Sequence, residues 1–215
     1  PEIKNQGSDS RSQYNVQHMD MNGNSELAVP QNTLRAELRQ LESKQWEQIT
    51  LPHTPFVEPL TVLHQWQGIC YYKKKITITP EEAKKHIWIE FEGAMHLADV
   101  WINGKHVMQH AGGYTPFVVD ATGLLKTGKE NELLVRLDNR NNSLIPPGKP
   151  LETLDFCYYG GIYRNVHLIA KADVHITHPI LDGHPAGAGI FITYPKVSQE
   201  LSVGEAKTAI KTTSD

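Results

Sequence analysis

Beyond Trp46 the chain repeats one pattern: apolar and polar residues alternate with a period of two, and short turn signals interrupt the alternation. Ile87, Ile89 and Phe91 alternate with His86, Trp88, Glu90 and Glu92. Leu133, Val135 and Leu137 alternate with Leu134, Arg136 and Asp138, and Ile162, Arg164, Val166 and Leu168 form a further row. Successive side chains of an extended strand point to opposite faces, so each row marks a strand with one face in a core. Asn103-Gly104 lies between Val100-Trp101-Ile102 and Lys105-His106-Val107. An Asn-Gly pair closes a two-residue hairpin because both central residues there need positive φ. Gly112-Gly113, Gly123, Gly128 and Gly160-Gly161 punctuate the remainder. Many short strands with such turns and almost no helix predict an all-β fold, an antiparallel sandwich of jelly-roll type.

Three stretches depart from that rhythm. Residues 1–30 are polar without sustained periodicity and read as an extended or poorly ordered arm, part of it able to lie on the domain as an edge strand. Leu34, Leu38 and Leu41 then recur at helical spacing behind Asn32 and Thr33, either of which can cap, and predict a short helix over 32–44. Residues 139–159 carry Pro146-Pro147-Gly148 and show neither period; a loop of this length in a compact domain is usually functional or mobile. Near Lys171 the composition changes. Val174 to Ile176, Ile190 to Tyr194 and Ala206 to Thr212 read as strands of a separate unit, with Glu205, Lys207, Ala209 and Lys211 opposite Ala206, Thr208, Ile210 and Thr212. The organisation expected is an arm with a short helix (1–45), a sandwich (46–170) and the first strands of a second sandwich (171–215).

The ionisable residues exclude several functions. A net charge of −3 over 215 residues offers no general cationic surface for nucleic acid, and no apolar run approaches a membrane span. Glu90 and Glu92 share a strand face, where they could form a carboxylate pair but more simply make a solvated face. His106 with His110, and His175 with His178, are closely spaced yet lack a third partner, so neither a metal site nor a cofactor is expected. Arg164 stands on an otherwise apolar row and should be paired, with Asp99 or Asp138 as candidates. Trp101 and Val100 take opposite faces, and the bulky aromatic is the default core residue. Asp120 and Thr122 suit the satisfaction of turn backbone groups. Cys70 and Cys157 read as reduced, buried thiols.

Longer strings carry more information than any of these: WEQITLPHTPF (Trp46 to Phe56), GICYYKKKITI (Gly68 to Ile78), IEFEGAMHLADVWINGKHV (Ile89 to Val107), HAGGYTPFVVDAT (His110 to Thr122) and DFCYYGGIYRNVHL (Asp155 to Leu168). In this order and spacing they resemble the N-terminal sugar-binding domain of glycoside hydrolase family 2, the β-galactosidases, β-glucuronidases and β-mannosidases. The resemblance runs from about Trp46 to Ala170. GIFITYPKVSQELSVGEAKTAIKTTS resembles the opening of the immunoglobulin-like domain that follows in this family. The fold implied is a galactose-binding-domain-like jelly-roll followed by a partial immunoglobulin-like sandwich.

The resemblance also implies a site. In galactosidase-like and glucuronidase-like members the aspartate at the position of Asp155 reaches into the active site of the barrel domain and contacts the sugar in the terminal subsite. Phe156, Tyr158 and Tyr159, with Trp66 and Gln67 from the loop before Gly68, would line the same rim. The substrate-binding set is therefore Asp155, Trp66, Gln67 and Tyr158, with a β-linked sugar or oligosaccharide and the catalytic barrel of the same parent chain as partners. The family's two catalytic glutamates lie on that barrel, so no residue here is assigned acid or nucleophile. The polar beginning lacks the family's aromatic first strand. Two alternatives stand beside this reading: a stand-alone carbohydrate-binding module and a purely structural jelly-roll. Homo-association through residues after Lys171 is a further possibility, because two or three strands alone are marginal.

Overall fold

The structure is a computed structural model and describes residues 2–4, 13–20, 31–42, 46–57, 65–157, 159–184 and 188–212. In chain order the elements are β1 (Glu2–Lys4), β2 (Gln13–Asp20), α1 (Gln31–Glu42), β3 (Glu47–Thr50), β4 (Gly68–Ile76), β5 (His86–Phe91), β6 (Leu97–Ile102), β7 (Lys105–Ala111), β8 (Phe117–Asp120), β9 (Asn131–Asp138), β10 (Val166–Lys171), β11 (His175–Ile176), β12 (Ile190–Val197), β13 (Ser202–Thr208) and β14 (Ile210–Lys211). A four-stranded sheet, β1-β10-β5-β8, faces a six-stranded sheet, β3-β2-β4-β9-β6-β7. Every ladder in both is antiparallel. The sandwich expected from the alternation is thus present.

The alternating rows meet where the pattern requires. Ile87, Ile89, Phe91, Phe117, Val119, Val166 and Leu168 of the smaller sheet pack against Cys70, Tyr72, Val100, Ile102, Leu133, Val135 and Leu137 of the larger one. Phe91 and Phe117 stack with ring centroids 4.6 Å apart. The hairpin between β6 and β7 turns on Asn103 and Gly104, with φ of 51° and 77°. Gly161 is held at φ 104°, and a Cβ there would lie 2.6 Å from both the His53 carbonyl oxygen and the Tyr72 hydroxyl, so only glycine lets these backbones approach. Asp120 accepts from the Thr122 amide, whose Oγ1 accepts from the Ile87 amide, as expected of that turn.

The polar beginning supplies strands despite its lack of apolar alternation. β1 is an edge strand on β10, but β2 lies between β3 and β4, inside the larger sheet. The ladder hydrogen bonds belong to the backbone, so a polar strand can complete a sheet that its side-chain pattern does not advertise. α1 begins at Gln31, one residue before the expected start. Its Leu38 and Leu41 cover Ile69, Tyr71 and Leu134 on the outer face of the larger sheet, with Trp46 beside them.

That covered outer face accounts for two departures from expectation. Val100 enters the sandwich core, whereas Trp101, on the opposite face, is buried against His106 with ring centroids 5.1 Å apart. Asp99 and Asp138 serve Arg136, not Arg164. Arg164 precedes β10 in an irregular turn, is exposed, and lies over the Tyr163 ring at 5.9 Å. Arg136 is 1% exposed; its Nε donates to Glu37 Oε2 of α1 at 2.9 Å, and its other nitrogens lie 3.6 Å from Asp138 and 3.9 Å from Asp99. The Tyr71 hydroxyl donates to the same Glu37 carboxylate. Burial opposes the guanidinium charge, but the Glu37 hydrogen bond and the surrounding negative charges hold its pKa above the ordinary value. Burial pushes the Tyr71 hydroxyl up as well. Of the thiols, Cys70 is buried as expected, while Cys157 is exposed; both are free.

After β10 the architecture changes. β11 pairs with β14, and β12 pairs with β13 as a separate two-stranded ladder. Ile190, Ile192, Tyr194 and Val197 are 53–71% exposed, which leaves an apolar hairpin in solvent.

Removing Arg136 strands carboxylates in a dry layer. In the 215-residue polypeptide, Arg136→Met is expected to lower the unfolding free energy by about 3–5 kcal/mol, and the Arg136→Met/Glu37→Leu pair by less, since the uncompensated charge is the main cost. Denaturant titration of both variants checks this.

Candidate functional site

The irregular stretch expected at 139–159 leaves the end of β9 and returns at Gly160. Its prolines, Pro146, Pro147 and Pro150, lack the amide hydrogens a strand or helix would need, so the segment is held by side chains. Asp138 begins this: its carboxylate takes Arg140 Nε at 3.0 Å and Nη2 at 2.7 Å, and the Arg140 amide at 3.1 Å. Asn139 comes next, 1% exposed; its Oδ1 accepts from the Gly68 amide at 2.8 Å and its Nδ2 donates to the Trp66 carbonyl at 3.0 Å. Asn141 Oδ1 accepts from Gln67 Nε2 at 2.9 Å and from the Leu151 amide at 3.1 Å. Buried Leu151 opens a short 3-10 turn, Leu151–Thr153, and packs with Met95, beside which lie Leu154 and Tyr163. A Cβ on Gly160 would come within 2.9 Å of Asn139 Nδ2 and 3.1 Å of Trp66 Cζ3.

Asp155 follows this anchor and is exposed, as are Phe156, at 44%, and Cys157. Among the described residues its carboxylate braces no backbone group. Trp66 is half-buried against the sandwich core and lies 5.4 Å from the Phe56 ring. Gln67 is half-buried and tied by its amide nitrogen to the Asn139 carbonyl at 3.2 Å as well as to Asn141. The structure thus places Trp66 and Gln67 at the base of the loop, and leaves Asp155 exposed just after the anchored Leu151–Thr153 turn. Tyr158 lies outside the described residues.

Asn139 and Asn141 are the residues that sequence reasoning passed over. Their signal was present: asparagines immediately after a strand commonly bond local backbone. The other candidates have structural partners. His167 donates to Glu92 at 3.0 Å and thereby holds the Glu92 carboxyl below its usual value. His178 lies 3.6 Å from Glu90, so the two glutamates do not act as a pair. His106 donates to Asp99 at 3.0 Å, and His110 stacks on Phe117 at 4.5 Å. His175 lies 5.0 Å from the His86 ring and 5.3 Å from Trp88. Among the described residues no group of three His, Cys, Asp or Glu is placed to hold a metal ion. A cavity of about 550 Å³ lies away from this site, between α1 and the outer sheet face, lined by Leu41, Trp46, Lys73 and Trp101.

The class that the fold defines is an antiparallel β-sandwich of jelly-roll type, whose irregular 139–159 segment exposes Asp155 and Phe156. More particularly, the chain belongs to the glycosyl hydrolases of family 2, as their sugar binding domain, whose family model matches residues 18–172. The match begins within β2, ahead of the first string that carried the resemblance. A β-galactosidase of Thermoanaerobacter pseudethanolicus is 32% identical over 86% of this chain and 25% of its own length. A β-glucuronidase of Bacteroides fragilis is 34% identical over 76% of this chain and 22% of its own. The structure of Bacteroides uniformis β-glucuronidase 2, covalently bound to cyclophellitol-6-carboxylate aziridine, superposes with a TM-score of 0.74 at 26% identity, covering 99% of this chain and 22% of that one. The chain therefore spans about a quarter of the length of these relatives.

His96, the residue before β6, lies at this same end of the sandwich, its amide on the Asp138 carbonyl. It is 1% exposed, and burial lowers its pKa from 6.5 to about 4, against the opposing pull of Asp138. Between these values the unfolded chain binds the proton and the folded chain does not, so stability falls as pH drops from about 6.5 to about 4. The expected loss is on the order of 3 kcal/mol, at 1.36 kcal/mol per unit. Unfolding free energies of the wild type and His96→Gln across this range check it, with a flatter profile expected for the variant.

Proposed function

We propose that this chain is the non-catalytic sugar-binding sandwich of a retaining, β-galactosidase-like β-glycosidase, and that Asp155 forms part of one wall of its terminal sugar subsite. The observation that carries the reading is the exposed, unbraced Asp155 carboxylate on a loop whose base is fully anchored. The relatives, β-galactosidases and β-glucuronidases, support the substrate class. A carboxylate can accept hydrogen bonds from two neighbouring sugar hydroxyls at charge-assisted strength. Phe156 and Trp66 offer aromatic surface for the apolar face of a ring. The reacting pair, a carboxylic acid that protonates the leaving oxygen and a carboxylate nucleophile about 5–5.5 Å away, belongs to the catalytic barrel. For a uronide the Asp155 carboxylate must face hydroxyls and not C6, because like charges would repel.

In the full-length protein, Asp155→Ala is expected to lower kcat/KM by about 2–4 kcal/mol in transition-state stabilisation, with little change in melting temperature. Steady-state kinetics on chromogenic β-galactoside and β-glucuronide, with a thermal melt, test it. A wild-type rate would leave the domain a structural jelly-roll.

The polypeptide of these 215 residues is also proposed to self-associate through residues after Lys171. Among the described residues β12 and β13 pair only with each other, so both outer edges offer unpaired backbone groups beside exposed Ile190, Ile192 and Val197. Sedimentation is expected to show dimers or larger species for the 215 residues and a monomer for a version ending at Ala170; monomers in both cases would refute it.

A further inference from the structure

We propose that the segment after β10 is latched to the outer face of the four-stranded sheet by uncharged histidines, and that acidification releases it; the latch does not depend on the role of Asp155. The sheet side of the latch is β5. Its Ile87, Ile89 and Phe91 fill the sandwich core, so the period of two sends His86, Trp88 and Glu90 outward. The ladders set Lys171, Ile169 and His167 of β10 beside His86, Trp88 and Glu90, and Asp120 of β8 on the other side of Trp88. The segment side is β11 and the turn after it. His175 and Thr177 are each 8% exposed and Ile176 between them is 41% exposed, so the polar alternate, not the apolar one, is buried here.

Aromatic rings close the contact. The His175 ring lies 5.0 Å from that of His86 and 5.3 Å from Trp88, and His178 lies 5.4 Å from Trp88. Hydrogen bonds fix the tautomers of two of the imidazoles. The Ala172 carbonyl can only accept, so His175 Nδ1, 2.6 Å away, carries a hydrogen and Nε2 is the site for a further proton. At His178 the Ile180 amide donates to Nδ1 at 3.2 Å, which leaves the ring hydrogen on Nε2, 3.6 Å from Glu90 Oε1. A further proton on His178 would therefore set N–H against N–H at Ile180. His86 Nε2 is buried without a hydrogen-bond partner, and the exposed Asp173 carboxylate stands 3.8 Å from it. A polar recess of about 140 Å³, lined by His86, His175, His178, Asp120, Asp182 and Lys211, has room for water, so protons reach the rings without unfolding.

The surrounding charges do not all pull one way. Asp120, Asp173, Asp182 and Glu90 favour a proton on these rings. Lys171 and Lys211 oppose it, and a charged His86 opposes a charged His175. His184 lies 3.4 Å from Asp182, and His167 is taken up by Glu92 at 3.0 Å. At His178 burial prevails: it lowers the pKa against the pull of Glu90, and Lys171 adds to the lowering. The docked segment thus binds fewer protons than the released one. Docking is then complete above the free imidazole value of about 6.5 and weakens as pH falls below it.

Amide exchange of the 215-residue polypeptide at about pH 7.5 and about pH 5, corrected for the intrinsic effect of pH on exchange, tests the latch. The amides of Thr177, Asp182, Gly189 and Ala209, all hydrogen-bonded within the segment, report its docking, because its short ladders are marginal alone. Those of β9 report the sandwich. The segment amides are expected to lose protection about tenfold or more at the lower pH, and to open ahead of β9. In His178→Asn the side-chain oxygen still takes the Ile180 amide but cannot be charged, and in His86→Phe the ring stays without its charge. The double variant is expected to hold segment protection within about twofold between the two pH values, with β9 behaving as in wild type. Equal segment protection at both values in wild type would overturn the latch, as would an acid loss undiminished in the double variant. Segment and β9 amides opening in parallel would also overturn it, by assigning the loss to the whole sandwich. If the double variant does not dock at the higher pH, His178→Asn alone decides by the same comparison.

Discussion

Beneath α1 the guanidinium of Arg136 sits between the carboxylates of Glu37, Asp99 and Asp138, on a sheet face from which water is excluded. Such a group is tolerable only when paired, because the solvation lost on burial is large. The helix therefore supplies more than an apolar lid: Leu38 and Leu41 cover the sheet, and Glu37 brings the charge that makes Arg136 acceptable there. Asp138 extends the same arrangement beyond the sheet, since its carboxylate also binds Arg140 in two places. The loop that carries Asp155 thus starts from a charge pair rooted in the buried layer.

The second outer face is organised differently. Trp88, Val118 and Ile169 form a small apolar patch on the four-stranded sheet. His175 and His178 from the segment after β10 pack edge-on to Trp88, with ring centroids at 5.3 and 5.4 Å. Burial lowers the pKa of His178 against the opposing charge of Glu90. The contact between the sandwich and the chain that follows it is therefore aromatic and uncharged at neutral pH on the side of His178. Beyond it, β12 and β13 expose apolar side chains that the described residues do not cover.

The segment between β9 and Gly160 joins an exposed Asp155 to the buried sandwich. Asn139, Asn141 and Gln67 fix the base of this otherwise irregular segment, while Leu151 and Leu154 seat its last turn on Met95 and Tyr163. Gly160 closes the loop where any side chain would strike Asn139 or Trp66.

Much of the sandwich is legible in the chain because strand alternation is a local property. The rows at Ile87–Phe91 and Leu133–Leu137 identify their core faces without knowledge of their neighbours, and Asn103-Gly104 names its own turn. Asp155 and Trp66 were legible as site candidates only through the company of longer strings. What tertiary structure decided is what depends on distant partners. β2 shows no apolar period because its place in the sheet is secured by backbone ladders to β3 and β4. Arg136, not Arg164, takes the buried carboxylates because Glu37, 99 residues away, is carried over it by α1. Trp101 leaves the core because that same helix and its neighbours bury the opposite face. Local sequence sets which way a side chain alternates; only the packed neighbours set whether that direction is solvent, a second buried layer or a binding site.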